Sequence, residues 1–151
     1  MDPNGIGQQT RVEHEILKHI TRALRVVMDW EVAGHEFSRK LASLRFLGQS
    51  FQRHLERMMA VEEHDGYMSA VAESHPQWLK DVDALRQDHS KFRAAIHWVV
   101  PHLERVSPTD LAGFQHICRE LHTLLEALDE HSRKEMSLLQ KAFLREEGGE
   151  G

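Results

Sequence analysis

Near the C-terminus a histidine and a glutamate interrupt an otherwise apolar stripe. From Leu111 to Phe143, steps of three and four give Phe114, Ile117, Leu121, Leu124 and Leu128, then His131 and Glu135, then Leu138 and Ala142. On a helix His131 and Glu135 lie one turn apart on the face that must be buried, where an unpaired imidazole and carboxylate would cost several kcal/mol. A shared metal ion would remove that cost, and so would a buried hydrogen-bonded pair. The same His-x-x-x-Glu spacing recurs at His116/Glu120 and His122/Glu126. Both of those pairs fall off the stripe and read as solvated pairs on an exposed face.

The same interruption appears in three other stretches. The first helix is expected from about Thr10 to Trp30, with Leu17, Ile20, Leu24 and Val27 on one face and His14 continuing it toward the N-terminus. A second begins near His35, with Phe37, Leu41, Leu44, Gly48, Phe51, Leu55, Met58 and then Glu62 in phase, and Asp65-Gly66 as its stop. A short helical piece, Tyr67 to Glu73, precedes Pro76, which suits the first turn of a third long helix. Its stripe reads Leu79, Val82, Leu85, His89, Phe92, Ile96, Val99 and Leu103, and Pro101 is expected to kink or end it. Ser107-Pro-Thr-Asp110 then supplies a cap, a first-turn proline and an acid for the fourth.

Four long helical stretches without any alternating strand pattern predict an all-α fold, an up-down-up-down four-helix bundle. It is expected over residues 10–145, between a flexible lead-in (1–9) and a flexible acidic tail (146–151). A chain of 151 residues can bury a sizeable core without disulfides, and its single cysteine, Cys118, fits a reducing compartment. A net charge of -5 without a basic run argues against nucleic acid or an anionic membrane as partner. There is no secretory signal at the N-terminus and no apolar stretch of spanning length, so the expected location is cytoplasmic.

Collected at core phase, the metal-ligand residue types are His14, Glu62, His89, His131 and Glu135, with at least one from every long helix. Five such residues on inward faces of one bundle are hard to satisfy independently. Imidazole with carboxylate suits iron, manganese or zinc, and two carboxylates able to bridge favour a dinuclear site.

On these residues the chain resembles the hemerythrin-like, or HHE cation-binding, family over about residues 10–145. The resemblance rests on Glu13-His14, on Glu62-Glu63 followed by Asp65-Gly66-Tyr67, on Asp88-His89, and on His131-Ser-Arg-Lys-Glu135 followed by Leu138-Leu-Gln-Lys-Ala-Phe143. It implies a bundle holding a non-haem di-iron centre, used for dioxygen binding, oxygen or redox sensing, or iron handling. The family pattern in the second helix is His-x-x-x-Glu, whereas this chain has Met58 at the histidine position, where a thioether is a poor ligand for iron. Met58 is therefore read as lining the oxygen pocket, with His54 as the only nearby imidazole.

Three functional readings stand at this point: an iron protein with an incomplete or asymmetric di-iron site, a mononuclear or non-iron metal protein using mainly Glu62, His89, His131 and Glu135, and a metal-free helical module for partner binding. The Glu-x-x-His pairs of ferritin-like oxidases do not occur at core phase, and no nucleophile with a base stands out. The expectation is a binding protein rather than an enzyme.

Overall fold

The computed structural model describes the backbone of residues 3–64 and 66–148 and the side chains of residues 11–64 and 66–142. Among these residues helix is the only regular structure: α1 (Pro3–Met28), α2 (Phe37–His64), the short α3 (Tyr67–Ser74), α4 (Leu79–Arg105) and α5 (Leu111–Gly148). Single 3-10 turns, Gly34–Glu36 and Pro76–Trp78, lead into α2 and α4.

The long helices form a bundle because each carries one apolar stripe. Leu17, Leu24 and Val27 of α1, Leu41 to Met59 of α2, Phe92 to Leu103 of α4 and Phe114 to Leu128 of α5 make one continuous core. At about 25 cal/mol per Å² of apolar surface removed from water, this stripe-to-stripe burial is the main favourable contribution to the fold. A second, smaller core closes one end, where Tyr67, Met68 and Val71 of α3 and the buried Trp78 meet Val82, Leu85, Leu138 and Ala142.

Cations on α2 secure the opposite end. Lys40 donates to the carbonyls of Met28 and Trp30, both at 2.8 Å, and so satisfies orphan acceptors at the C-terminus of α1. Arg45 donates likewise to Leu103 (2.7 Å) and Val106 (2.9 Å) at the end of α4.

Several boundaries differ from the sequence expectation. Helix α1 starts at Pro3 rather than Thr10 and ends at Met28 rather than Trp30. Proline costs nothing in a first turn, and the glycines that suggested a flexible lead-in weaken a helix by only about 1 kcal/mol each. Residues 1–2 and 149–151 lie outside the described residues, and residues 146–148 of the expected tail are the last turn of α5. Asp110, not Ser107, caps α5: its Oδ1 accepts from the Gly113 amide at 2.9 Å, while Ser107 closes the preceding turn on Asp110 and Thr109. Pro101 does not stop α4, which runs on to Arg105. Leu79 is exposed and Trp78 takes the buried position beside it.

Gly66 ends α2 through close approach rather than through an unusual backbone, since its φ is -107°. A Cβ there would meet the Val61 carbonyl and come within 2.8 Å of the Glu62 Cα and carbonyl oxygen. Only glycine lets α3 turn back so tightly over Glu62. Gly66→Ala is therefore expected to destabilise the protein by about 1–3 kcal/mol, as overpacking against a fixed backbone does. Gly34→Ala, where nothing lies within 4 Å of the new methyl, should leave the thermal midpoint nearly unchanged. Equal midpoints for the two variants in thermal unfolding would contradict this account of the turn.

Candidate metal centre

The two apolar cores meet at a polar layer. Leu128 of α5 belongs to the larger core and Leu138 to the smaller, and between them His131 and Glu135 are fully buried. Helix α4 steps from Phe92 through the buried His89 to Leu85, and α2 steps from Met58 to the buried Glu62. His14, one turn before Leu17 on α1, completes the layer with about a fifth of its side chain exposed. All five residues picked out by helical phase thus converge, while His116, Glu120, His122 and Glu126 are exposed on α5.

Glu62 lies at the middle of this layer. Its Oε1 is 3.1 Å from His14 Nε2, and its Oε2 is 2.8 Å from His89 Nε2 and 3.6 Å from His131 Nε2. Glu135 spans the same space, with Oε1 2.6 Å from His14 Nε2 and Oε2 3.2 Å from His131 Nε2. The donors fall into two groups of three, one of His14, Glu62 and Glu135 and the other of Glu62, His89 and His131. Within each group the ligand atoms lie within 4.8 Å of one another, and Glu62 belongs to both.

Proximity here is not the same as hydrogen bonding. His131 Nε2 and both oxygens of Glu135 are buried without a well-directed hydrogen bond, although partners lie only 2.6–3.6 Å away. Buried polar atoms are rarely left in that state. Glu62 is hydrogen-bonded to His14 and His89, whereas His131 and Glu135, crowded beside it but not aimed at one another, have the disposition expected of ligands aimed at a shared cation. The donor set of three imidazoles and two carboxylates fits iron, manganese or zinc. Cys118, half-buried, offers no thiolate to either group, and burial pushes its thiol up.

The outer ring nitrogens are also occupied. His89 Nδ1 is 2.7 Å from Glu63 Oε1, and Glu63 Oε2 accepts from Arg93 at 2.7 Å. His131 Nδ1 is 2.9 Å from Asp88 Oδ2. A carboxylate on Nδ1 holds the ring with its proton there and turns Nε2 inward as a donor lone pair, the arrangement that orients metal-ligating histidines. Each partner comes from a neighbouring helix: Glu63 of α2 orients His89 of α4, and Asp88 of α4 orients His131 of α5.

Reading the sequence by phase missed Glu63, Asp88 and Tyr67 as parts of the site. The signal was there in the paired residues Glu62-Glu63 and Asp88-His89, where neighbours about 100° apart on a helix put one side chain inward and the next toward the adjoining helix. Tyr67, only 1% exposed, has a buried hydroxyl without a hydrogen-bond partner. Burial, with Glu62 and Glu135 nearby, raises its phenol far above the ordinary value and keeps it neutral. Met58 is buried beside this layer, and His54, half-buried with an unpartnered Nδ1, joins neither donor group. Asp65 lies outside the described residues.

In the metal-free protein protons take the place of a cation. Burial opposes charge on His14, but the adjacent carboxylates of Glu135 and then Glu62 outweigh it and push its pKa up to about 10. Burial likewise opposes charge on His131, and Glu135, Glu62 and Asp88 push it up to about 10. Burial raises Glu62, but the surrounding imidazoles hold it well below the usual carboxylate range. Protonated His14 and His131 then face the ionised Glu62.

The sign of the resulting pH dependence follows from linkage. Groups raised on folding contribute stability that is complete below their unfolded pKa of about 6.5 and lost as pH rises through about 10. The depressed Glu62 contributes above about 4.5, and its contribution is lost as pH falls through its folded value. Chelator-treated protein should therefore unfold at progressively lower temperature between pH 6.5 and pH 10. In His131→Gln, which removes one of the two histidines, that decline should be smaller. A flat or rising midpoint over this range in metal-free protein would overturn the charge balance described here.

Comparison of the chain with family models, with curated proteins and with solved structures returns no match.

Proposed function

We propose that this chain is a hemerythrin-like, non-haem iron-binding protein with an asymmetric di-iron site, serving oxygen or redox sensing or binding, or iron handling. The observation that carries the reading is the pair of three-donor groups sharing Glu62, with buried donor atoms left without directed hydrogen bonds. The order of contacts along the helices supports an up-down-up-down topology. Lys40 meets Met28 while Glu62 meets His14, and Arg45 meets Leu103 while Glu63 meets His89. Residue numbers rise on one helix as they fall on its neighbour, as in antiparallel pairs.

His14, Glu62 and Glu135 would hold one iron, and Glu62, His89 and His131 the other. Bound iron would supply one-electron redox chemistry and an open position for a small ligand such as dioxygen. The chain's own part is to hold these donors in place, with Glu63 and Asp88 fixing the histidine rings and two apolar cores limiting water. The asymmetry arises because Met58 stands where the family pattern has an imidazole. The first group has a single histidine and the second has two.

Metal analysis with near-ultraviolet absorption of the purified protein tests this directly. Iron should be present, and His131→Ala or Glu135→Ala should remove most of it, whereas His116→Ala and Glu120→Ala should not. Protein purified without metal and unable to take up ferrous iron would instead favour a metal-free module for partner binding. Equal loss from the exposed pair would refute the assignment of the site to the inward face.

Met58→His tests the asymmetry. The substitution conserves volume approximately, so its packing cost should be about 1 kcal/mol or less. It should raise iron content toward two per chain and strengthen the iron-dependent absorption. If the wild-type chain already holds two irons that resist a chelator equally, Met58 is not the cause of any asymmetry.

A further inference from the structure

The two donor groups differ in how far they are sealed from solvent. His89, His131 and both acids are completely buried, whereas about a fifth of the His14 side chain is exposed. They differ also in how their rings are held. Glu63 and Asp88 hold the outer nitrogens of His89 and His131 at 2.7 and 2.9 Å, but among the described residues no carboxylate holds the outer nitrogen of His14. An outer carboxylate orients an imidazole and strengthens it as a ligand. The one imidazole of the first group lacks that support.

His14 also lines a half-open cleft of about 490 Å³ between α1 and α5. The floor of this cleft is closed by Leu17, Met58 and Leu128, at 3%, 1% and 4% exposure, so that of the five candidate ligands only His14 is reached from it. Lys18 and Arg22 stand about one and two turns along α1 from His14, about 6 and 12 Å at about 1.5 Å per residue. Both are exposed, and among the described residues neither has a carboxylate within ion-pair distance. Glu15 is the rim's one unpaired acid, since Arg25 donates to Asp129 at 2.8 Å. Two cations against one anion make a rim that repels a bare ferrous ion and draws in an anion.

We propose that the first group is an exchange site, where iron passes between His14 and a small anionic chelator of the polycarboxylate class docked against Lys18 and Arg22. The second group keeps its iron until the bundle opens. This inference rests on the iron-binding reading above and narrows it to iron handling. Exchange is a ligand substitution without change of oxidation state. The bond from His14 Nε2 to the iron breaks as a carboxylate oxygen of the chelator bonds to it, Glu135 follows, and Glu62 stays with the second iron.

The test loads the full chain with ferrous iron under nitrogen, adds excess nitrilotriacetate, and measures the iron remaining with the protein after rapid desalting. Release should be biphasic, with one iron leaving at least tenfold faster than the other. His14→Ala should lack the fast phase and keep the slow one. Lys18→Glu/Arg22→Glu should slow the fast phase about tenfold with nitrilotriacetate but leave it unchanged with the neutral chelator bipyridine. That slowing should disappear at about 1 M salt, where charges are screened beyond about 3 Å. Arg119→Glu, which removes an exposed cation of α5 outside the cleft, should change neither phase. Release in a single phase overturns the division between the groups. Survival of the fast phase in His14→Ala overturns the place of the exchange site. Equal slowing with both chelators, or equal slowing by Arg119→Glu, overturns the docking of an anion at the rim. A chain that takes up two irons and releases them together defeats this inference alone, whereas one that takes up none defeats the iron-binding reading with it.

Discussion

Burying the Glu62 carboxylate is the constraint to which the rest of the molecule answers. An ionised carboxyl group deep in a helical bundle is prohibitively costly unless charge and hydrogen bonds surround it. Here histidines from three helices approach it from different sides, and a second buried acid, Glu135, shares two of them. No single helix could meet this requirement, so the polar layer fixes the register of all four long helices at once. Sliding α5 by one turn would place Leu128 or Leu138 against Glu62 and strand its charge.

The layer is supported from outside as well as from within. Glu63 and Asp88 hold the outer nitrogens of His89 and His131, and Arg93 in turn holds Glu63. Charges alternate outward from the centre, so that each group is ordered by the next and the outermost are partly hydrated. Below the layer the larger core supplies the bulk of the burial, and above it α3 folds back as an apolar cover. Gly66 makes that return possible, and Tyr67 brings the only phenol of the chain to the two buried acids.

Much of this was legible in the sequence because helical phase is a strong signal over long helices. His131 and Glu135 stand out between Leu128 and Leu138, and the buried positions along α2 follow the expected stripe from Leu41 to Glu62. What phase could not supply was anything that depends on the neighbour across a helix interface. Asp88 and Glu63 look like ordinary surface acids until the facing helix is in place. End effects were also hard to read: Asp110 and Ser107 are both good caps, and only the observed bond to Gly113 decides between them. Leu79 and Trp78 exchange roles because the turn at Pro76–Trp78 shifts the start of α4.

The caps that Lys40 and Arg45 make have a consequence for how the molecule breathes. Both fasten helix ends at the extremity remote from the polar layer, through bonds from a cation to carbonyls that have no other partner among the described residues. The other extremity is closed by α3 and its smaller apolar patch, with Ser69 donating to the Glu63 carbonyl at 3.3 Å. Transient opening should thus begin at the α3 end, the low-stability end of the fold. That end is the one that shields Glu62 and Glu135. A bundle hinged in this way lets ions and solvent reach its interior by lifting a short flap while the far end stays shut.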